Sequence, residues 1–169
     1  MILNRFPPTE PPDGGDDAMN NPQSEKCVRT FIDSYYSGDI ARMEQCCDDA
    51  FVSVTYAPVE IFPHLGLQQS KAWIAKAIHI QQERYSDRRH TIDFVVADET
   101  QAATFVQATL TKRSDQRVVT LNVGEFFTLR NGRILEHRSL FDTFDLVQQL
   151  LGRDLTGEFA ARLKNAMRQ

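Results

Sequence analysis

The stretch Val118–Phe141, VVTLNVGEFFTLRNGRILEHRSLF, decides the fold. It holds two apolar, alternating segments joined by Asn131-Gly132. Both central residues of a type I′ turn need positive φ, and Asn-Gly adopts it most easily, so the pair marks a tight β-hairpin. Val118–Leu129 reads as one long strand, with Gly124 at its middle where a sheet can bend or a bulge can sit. Arg133–Phe141 is the strand that returns.

The same period-two pattern extends upstream. Ile92, Phe94 and Val96 alternate with Thr91, Asp93 and Val95 from Arg89 onward, and Asp98-Glu99-Thr100 forms a turn. A further strand covers Ala102–Lys112 and closes on the turn Ser114-Asp115-Gln116. Four strands with three short turns make an antiparallel meander. Right-handed strand twist curls such a sheet, and one of its faces has to be buried.

The cover comes from helices. Val28, Phe31, Ile32 and Tyr35 share one face of a helix over Ser24–Tyr36, which Ser37-Gly38-Asp39 ends. Asp39 caps a second helix that turns Ile40, Met43 and Cys47 inward, ahead of a short strand Phe51–Tyr56. The segment Ala57–Gln69 is too apolar to lie free in water and is expected to cover core or a pocket mouth. Ser70 caps a third helix whose buried face is Trp73, Ile74, Ala77 and Ile78. A short helix ending at Gly152 and a last one over Leu155–Met167 follow the meander. The expectation is an α+β chain with a leader over 1–22, one domain over 23–152 and a C-terminal helix over 153–169. Met19 is a second candidate start.

Composition narrows the function. The 169 residues carry a net charge of -4 with 41% hydrophobic and 25% charged residues, which suits a globular core and disfavours nucleic acid as a partner. No stretch is apolar for the roughly 20 residues that span a bilayer, so no membrane is expected. Residues 1–22 lack the apolar segment of a secretory signal and read as disordered. Cys27, Cys46 and Cys47 are odd in number, and two are adjacent, so free thiols in a reducing cytoplasm are expected rather than a disulfide framework. The four histidines have no metal-ligand spacing, and no Gly-rich phosphate loop or GxSxG elbow is present, so no metal or cofactor is expected.

Helix, helix, strand, apolar loop, helix and meander is the order of the nuclear-transport-factor-2-like fold. Three segments carry a closer likeness: Val28-Arg29-Thr30-Phe31-Ile32-Asp33-Ser34-Tyr35-Tyr36-Ser37-Gly38-Asp39, Leu129–His137, and Leu140-Phe141-Asp142-Thr143-Phe144 leading to Gln148-Gln149-Leu150. On these, Ser24–Gly152 resembles the SnoaL-like polyketide cyclase group. The resemblance implies a cone-shaped fold, a curved meander covered by three helices around a concave pocket. It further implies proton transfer by one carboxylate where the last strand runs into the tail, which is Asp142 here. The sister limonene epoxide hydrolases use an Asp-Arg-Asp set; the matching positions are Thr109, Thr111 and Ser139, so epoxide hydrolysis is not expected.

Several residues are candidates for chemistry. Asp142 follows Leu140 and Phe141. Desolvated there, it suits acid/base work beside a ketone; equally, it can cap the helix from Thr143. His64, after Pro63, is either a donor to a substrate oxygen or an exposed loop histidine. His137 alternates with Arg138, so one of them faces the pocket. With Asp142 inward, strict period two turns Arg138 and Leu140 inward and His137 outward, unless a bulge reverses it. Glu125 shares a face with Val123 and Phe127. It is either a second ionisable group of the pocket or half of an outer-face ion pair, and the ion pair is the expectation because unpaired buried acids are rare. Tyr36, Tyr56, Trp73, Phe105 and Phe127 are candidate walls for a small hydrophobic ligand, or core.

Two functions follow. One is a cofactor-independent isomerase, cyclase or dehydratase acting on a small hydrophobic carbonyl compound, with Asp142 as acid/base and His64 or His137 as donors. The other is a non-catalytic ligand- or protein-binding module. Asp142 buried in an apolar cavity favours the enzyme; Asp142 bonded to backbone amides at a helix start favours the module. Apolar residues on the outer sheet face, Val118 or Val119 among them, predict a homodimer.

Overall fold

In the computed structural model, which describes residues 21–167, Asn131 and Gly132 have φ of 53° and 71° and close the expected hairpin between β5 (Val118–Arg130) and β6 (Arg133–Phe141). The remaining elements are α1 (Pro22–Ser37), α2 (Ile40–Gln45), β1 (Cys47–Tyr56), β2 (Gly66–Gln68), α3 (Ala72–Arg84), β3 (Tyr85–Ala97), β4 (Gln101–Lys112), α4 (Thr143–Leu151) and α5 (Thr156–Ala166). They form the α+β architecture expected: one six-stranded curved sheet in the order β2-β1-β6-β5-β4-β3, with helices over its concave face.

Four differences from the sequence reading matter. The meander gains two strands, because β1 pairs in parallel with β6 and the apolar loop contributes β2 against β1. Cys47 begins β1 and is fully buried there, so it belongs to the sheet rather than to α2. The helix boundary moves upstream: the Asn21 side chain accepts from the backbone N–H groups of Gln23 and Ser24, and Pro22 takes the first turn, where its missing N–H costs nothing. The leader expected over 1–22 otherwise lies outside the described residues. Finally, Gly124 holds straight register on both sides, opposite Phe105 and Leu140.

The bulge lies near the hairpin instead. Thr128 pairs with Glu136 but Leu129 with Ile134, which leaves Leu135 unpaired. An extra residue shifts the alternation by one, so Ile134 and His137, three apart, both face the core.

The core is built from Val28, Phe31 and Ile32 of α1, Ile74 and Ile78 of α3, and the inward rows of the sheet, including Phe51, Val106, Leu110, Val119 and Ile134. Phe31 sits centrally: its ring meets Phe51 at 6.0 Å, Phe127 at 5.8 Å and His137 at 5.2 Å between centroids. No helix among the described residues is long and apolar enough to cross a membrane.

Candidate functional site

The concave face of the sheet opens on a cavity of about 660 Å³. Its polar part grows from small polar residues at inward positions of adjacent strands. On β1, Phe51, Ser53 and Thr55 face in while Val52 and Val54 sit on the other side. Register places Ser53 beside His137 and Thr55 beside Ser139 on β6, and Glu125 of β5 opposite Ser139.

Side chains follow that register. Ser53 Oγ hydrogen-bonds His137 Nδ1 at 3.0 Å, and the Thr55 and Ser139 hydroxyls are 2.9 Å apart; all four residues are buried. The His137 ring stacks on Phe127 at 5.1 Å with 24° between planes. The other ring nitrogen, Nε2, lies 3.8 Å from Glu125 Oε1. Both residues are almost wholly enclosed, at 5% and 9% exposure, yet among the described residues His137 Nε2 and Glu125 Oε2 have no hydrogen-bond partner. Leaving buried polar atoms unpaired is costly and concentrates at sites where a ligand supplies the missing partner.

Tyr35 and Tyr36 line the same cavity from α1. Burial pushes both phenols up, and the Glu125 carboxylate adds to it, so they stay neutral O–H donors within its field. Tyr36 is held by stacking on His90 at 4.6 Å, and His90 Nε2 meets Asp33 Oδ1 at 2.9 Å.

The apolar loop forms one wall through Phe62, His64 and Leu65. Burial pushes the His64 imidazole down, and the nearby cations Arg84 and Lys76 act in the same direction. His64 Nδ1 and Trp73 Nε1 are enclosed without partners among the described residues.

The expected site residues divide. Glu125, His137, His64, Tyr36 and Trp73 meet in the cavity. Phe127 lies behind His137 as its stacking surface. Tyr56 and Phe105 are on the opposite face: Tyr56 is exposed, and Phe105 sits opposite Phe94 and Gly124. Of the two readings open for Asp142, the structure shows the helix cap and not a side chain buried in the cavity. Asp142 is exposed, and its carboxylate accepts from the Asp145 N–H at 2.9 Å as the N-cap of α4. The strand parity explains it: His137, Ser139 and Phe141 face the cavity, so Arg138 and Leu140 face out. Glu125 is a correction, since it points into the pocket rather than to an outer ion pair. Thr109 and Thr111 are not among the cavity residues, whereas Leu110 and Lys112 are. Ser53, Thr55 and Tyr35 were not singled out from sequence, although hydroxyls on the inward rhythm of an apolar strand are the signal that finds the first two.

Among the described residues no group of three or more His, Cys, Asp and Glu side chains could hold a metal ion.

Comparison with known proteins agrees with this architecture. No curated protein matches the chain. The solved structure named "Putative Isomerase from Rhodopseudomonas palustris" is 26% identical, with a TM-score of 0.68 over 80% of this chain and 100% of its own. An LEH-like epoxide hydrolase of M. tuberculosis is 21% identical, with a TM-score of 0.60 over 76% of this chain and 90% of its own. IdmH from Streptomyces antibioticus, named a "putative polyketide cyclase", is 18% identical, with a TM-score of 0.64 over 76% and 98%. The latter two share the fold. The SnoaL-like domain family matches residues 28–137, from the α1 core residue Val28 to the cavity histidine, and the chain belongs to that family.

Proposed function

We propose that the chain is a cofactor-independent enzyme acting on a small hydrophobic carbonyl compound by proton transfer, as isomerase, cyclase or dehydratase, with Glu125 and His137 in the role that the sequence reading gave to Asp142. One observation carries this reading: two enclosed ionisable groups lie 3.8 Å apart on the wall of a largely apolar cavity, and each keeps an atom without a partner among the described residues.

The chemistry needs a base beside the carbon next to the carbonyl, a donor for the oxygen that becomes negative, and an acid that returns the proton. Glu125 takes the proton. The electron pair moves to the carbonyl oxygen, where the Tyr36 or Tyr35 hydroxyl donates. Protonated Glu125 hands that proton to His137 Nε2 and the imidazolium returns it at the new position, so both side chains end as they began; Ser53 fixes the imidazole through Nδ1. No step requires an oxidant or a second substrate.

The test is solvent-deuterium incorporation next to the carbonyl, followed by NMR for a panel of cyclic and aromatic ketones. Exchange above the buffer rate that depends on Glu125 supports the reading; buffer-rate exchange across the panel opposes it. The binding-module alternative draws on the capping role of Asp142, the arrangement that the sequence reading associated with it.

A further inference from the structure

The edge of the cavity carries a second polar feature, built by a different pair of elements. The junction of α3 and β3 lies against the turn after β4: the Arg113 N–H donates to the Arg84 carbonyl at 2.9 Å, and Arg113 Nε donates to the Gln82 carbonyl at 2.8 Å. Tyr85 pairs with Lys112 in the same place. Arg84, Lys112 and Arg113 therefore line one end of the cavity together.

Their charges are unequally compensated. The Lys112 ammonium donates to Asp115 at 3.0 Å and to the Leu150 carbonyl at 3.3 Å. Among the described residues, neither Arg84 nor Arg113 forms an ion pair, and Glu83, the acid beside them on the cavity wall, forms none either. Nearby, Arg88 Nη1 is enclosed without a partner among the described residues. Burial pulls the Arg88 guanidinium down; Tyr35 opposes this, and the Arg113 charge adds a smaller pull in the same direction as burial. Arg84 and Arg113 are exposed at the cavity edge, and like charges on one wall favour an anion beside them. A guanidinium offers a planar fork of donors matched to a carboxylate.

We infer that the ligand of this cavity is an elongated amphipathic acid: an apolar body with one carboxylate, held by Arg84 and Arg113 at the cavity edge, and its carbonyl end turned to Glu125 and His137. The second half of that statement rests on the proposed function; the carboxylate clamp does not. Arg84, Lys112 and Arg113 against Glu83 leave this wall net positive, which suits an anion. The span is long: β4 from Thr104, opposite Glu125, to Lys112 covers about 26 Å of extended strand, shortened by curvature and by the side chains that reach in. The apolar stretch between, with Leu110, Leu121 and Val123 on the sheet and Leu146 and Leu150 on α4, accepts a hydrocarbon body.

Trp73 is the one tryptophan of the chain and lines the cavity, so its fluorescence reports binding directly. Decanoate, decanamide and decyl phosphate share one hydrocarbon chain and differ at the head. The expected result is a dissociation constant for decanoate at least tenfold below that of decanamide. In Arg84→Gln/Arg113→Gln the preference disappears while the decanamide value stays unchanged, which also shows that the variant is folded. Equal binding of acid and amide, a preference that survives the double substitution, tighter binding of decyl phosphate than of decanoate, or no response to any of the three overturns the inference. Binding is read without turnover. Acid preference with failed deuterium exchange sinks the proposed function alone, and intact exchange with equal binding sinks the carboxylate clamp alone.

Discussion

Glu125 Oε1 and His137 Nε2 stand 3.8 Å apart on neighbouring strands, beyond hydrogen-bond length but within charge-pair distance, while Ser53 holds the far side of the imidazole at 3.0 Å. Removing one member of such a buried pair strands the other, whereas replacing both with apolar groups of similar size removes the desolvation cost altogether. Glu125→Leu/His137→Phe is therefore expected to be at least as stable as the wild type, and His137→Phe alone to be less stable than the double variant. Urea unfolding of the four proteins should give a coupling of roughly 1 kcal/mol or more. Additive effects would mean that the two side chains do not interact.

Ser53→Ala removes the only partner that His137 Nδ1 has among the described residues and leaves a buried polar atom unpaired. The expected cost is about 1–3 kcal/mol, measured by denaturant unfolding. In the exchange assay the same variant should lose rate at every pH, because the ring is no longer fixed. A variant as stable and as active as the wild type would contradict the positioning role.

Asp142 makes one capping hydrogen bond, to the Asp145 N–H. Asparagine caps helices as well as aspartate does, so Asp142→Asn should change stability by no more than a few tenths of a kcal/mol, and Asp142→Ala should cost about 1 kcal/mol. Calorimetry of the two variants checks the order. A larger loss in the asparagine variant would assign the carboxylate a task beyond capping.

His64 is held below its ordinary value of 6.5 by burial and by Arg84 and Lys76. The unfolded chain therefore binds the proton first as pH falls. The contribution of neutral His64 is fully present above pH 6.5 and is lost as the pH drops from there toward the lower folded-state value. His64→Gln removes this dependence, so the stability difference between wild type and variant should shift against the wild type between pH 7.5 and 5. A pH-independent difference would place His64 in open solvent.

How much of this was legible in the sequence depends on how local the determinant is. Asn131-Gly132 and the capping residue Asp39 act within a few residues, and their turns form as read. The parallel pairing of β1 with β6 has no local signature, since it joins Ser53 to His137 across 84 positions. The facing of Asp142 was not legible for one physical reason. Alternation gives only the parity of a strand, and the unpaired Leu135 resets that parity without any glycine or proline to mark it. Once His137 faces in, Asp142 faces out, and Glu125 becomes the carboxylate beside the imidazole.

The outer face of the sheet leaves Tyr56, Phe94, Phe126 and Leu140 about half exposed. Gly124 keeps the surface between the last two low: a Cβ there would meet Leu140 Cδ1 at 3.7 Å and Phe126 Cε2 at 3.9 Å. An apolar patch of this kind is seldom left in water, and a homodimer joined through it is expected. Sedimentation at micromolar concentration should give the dimer mass for the wild type and the monomer mass for Phe126→Asp. A wild-type monomer would contradict the expectation.

The central claim is that Glu125 and His137, and not Asp142, move the proton. Deuterium incorporation into whichever ketone of the panel the wild type exchanges fastest tests it directly, with Glu125→Gln, His137→Asn and Asp142→Asn run side by side. Loss of a general acid or base typically costs on the order of 10²–10⁴-fold. The account predicts a fall of that size in the first two variants and wild-type exchange in the third. Exchange that survives in Glu125→Gln and disappears in Asp142→Asn would contradict it.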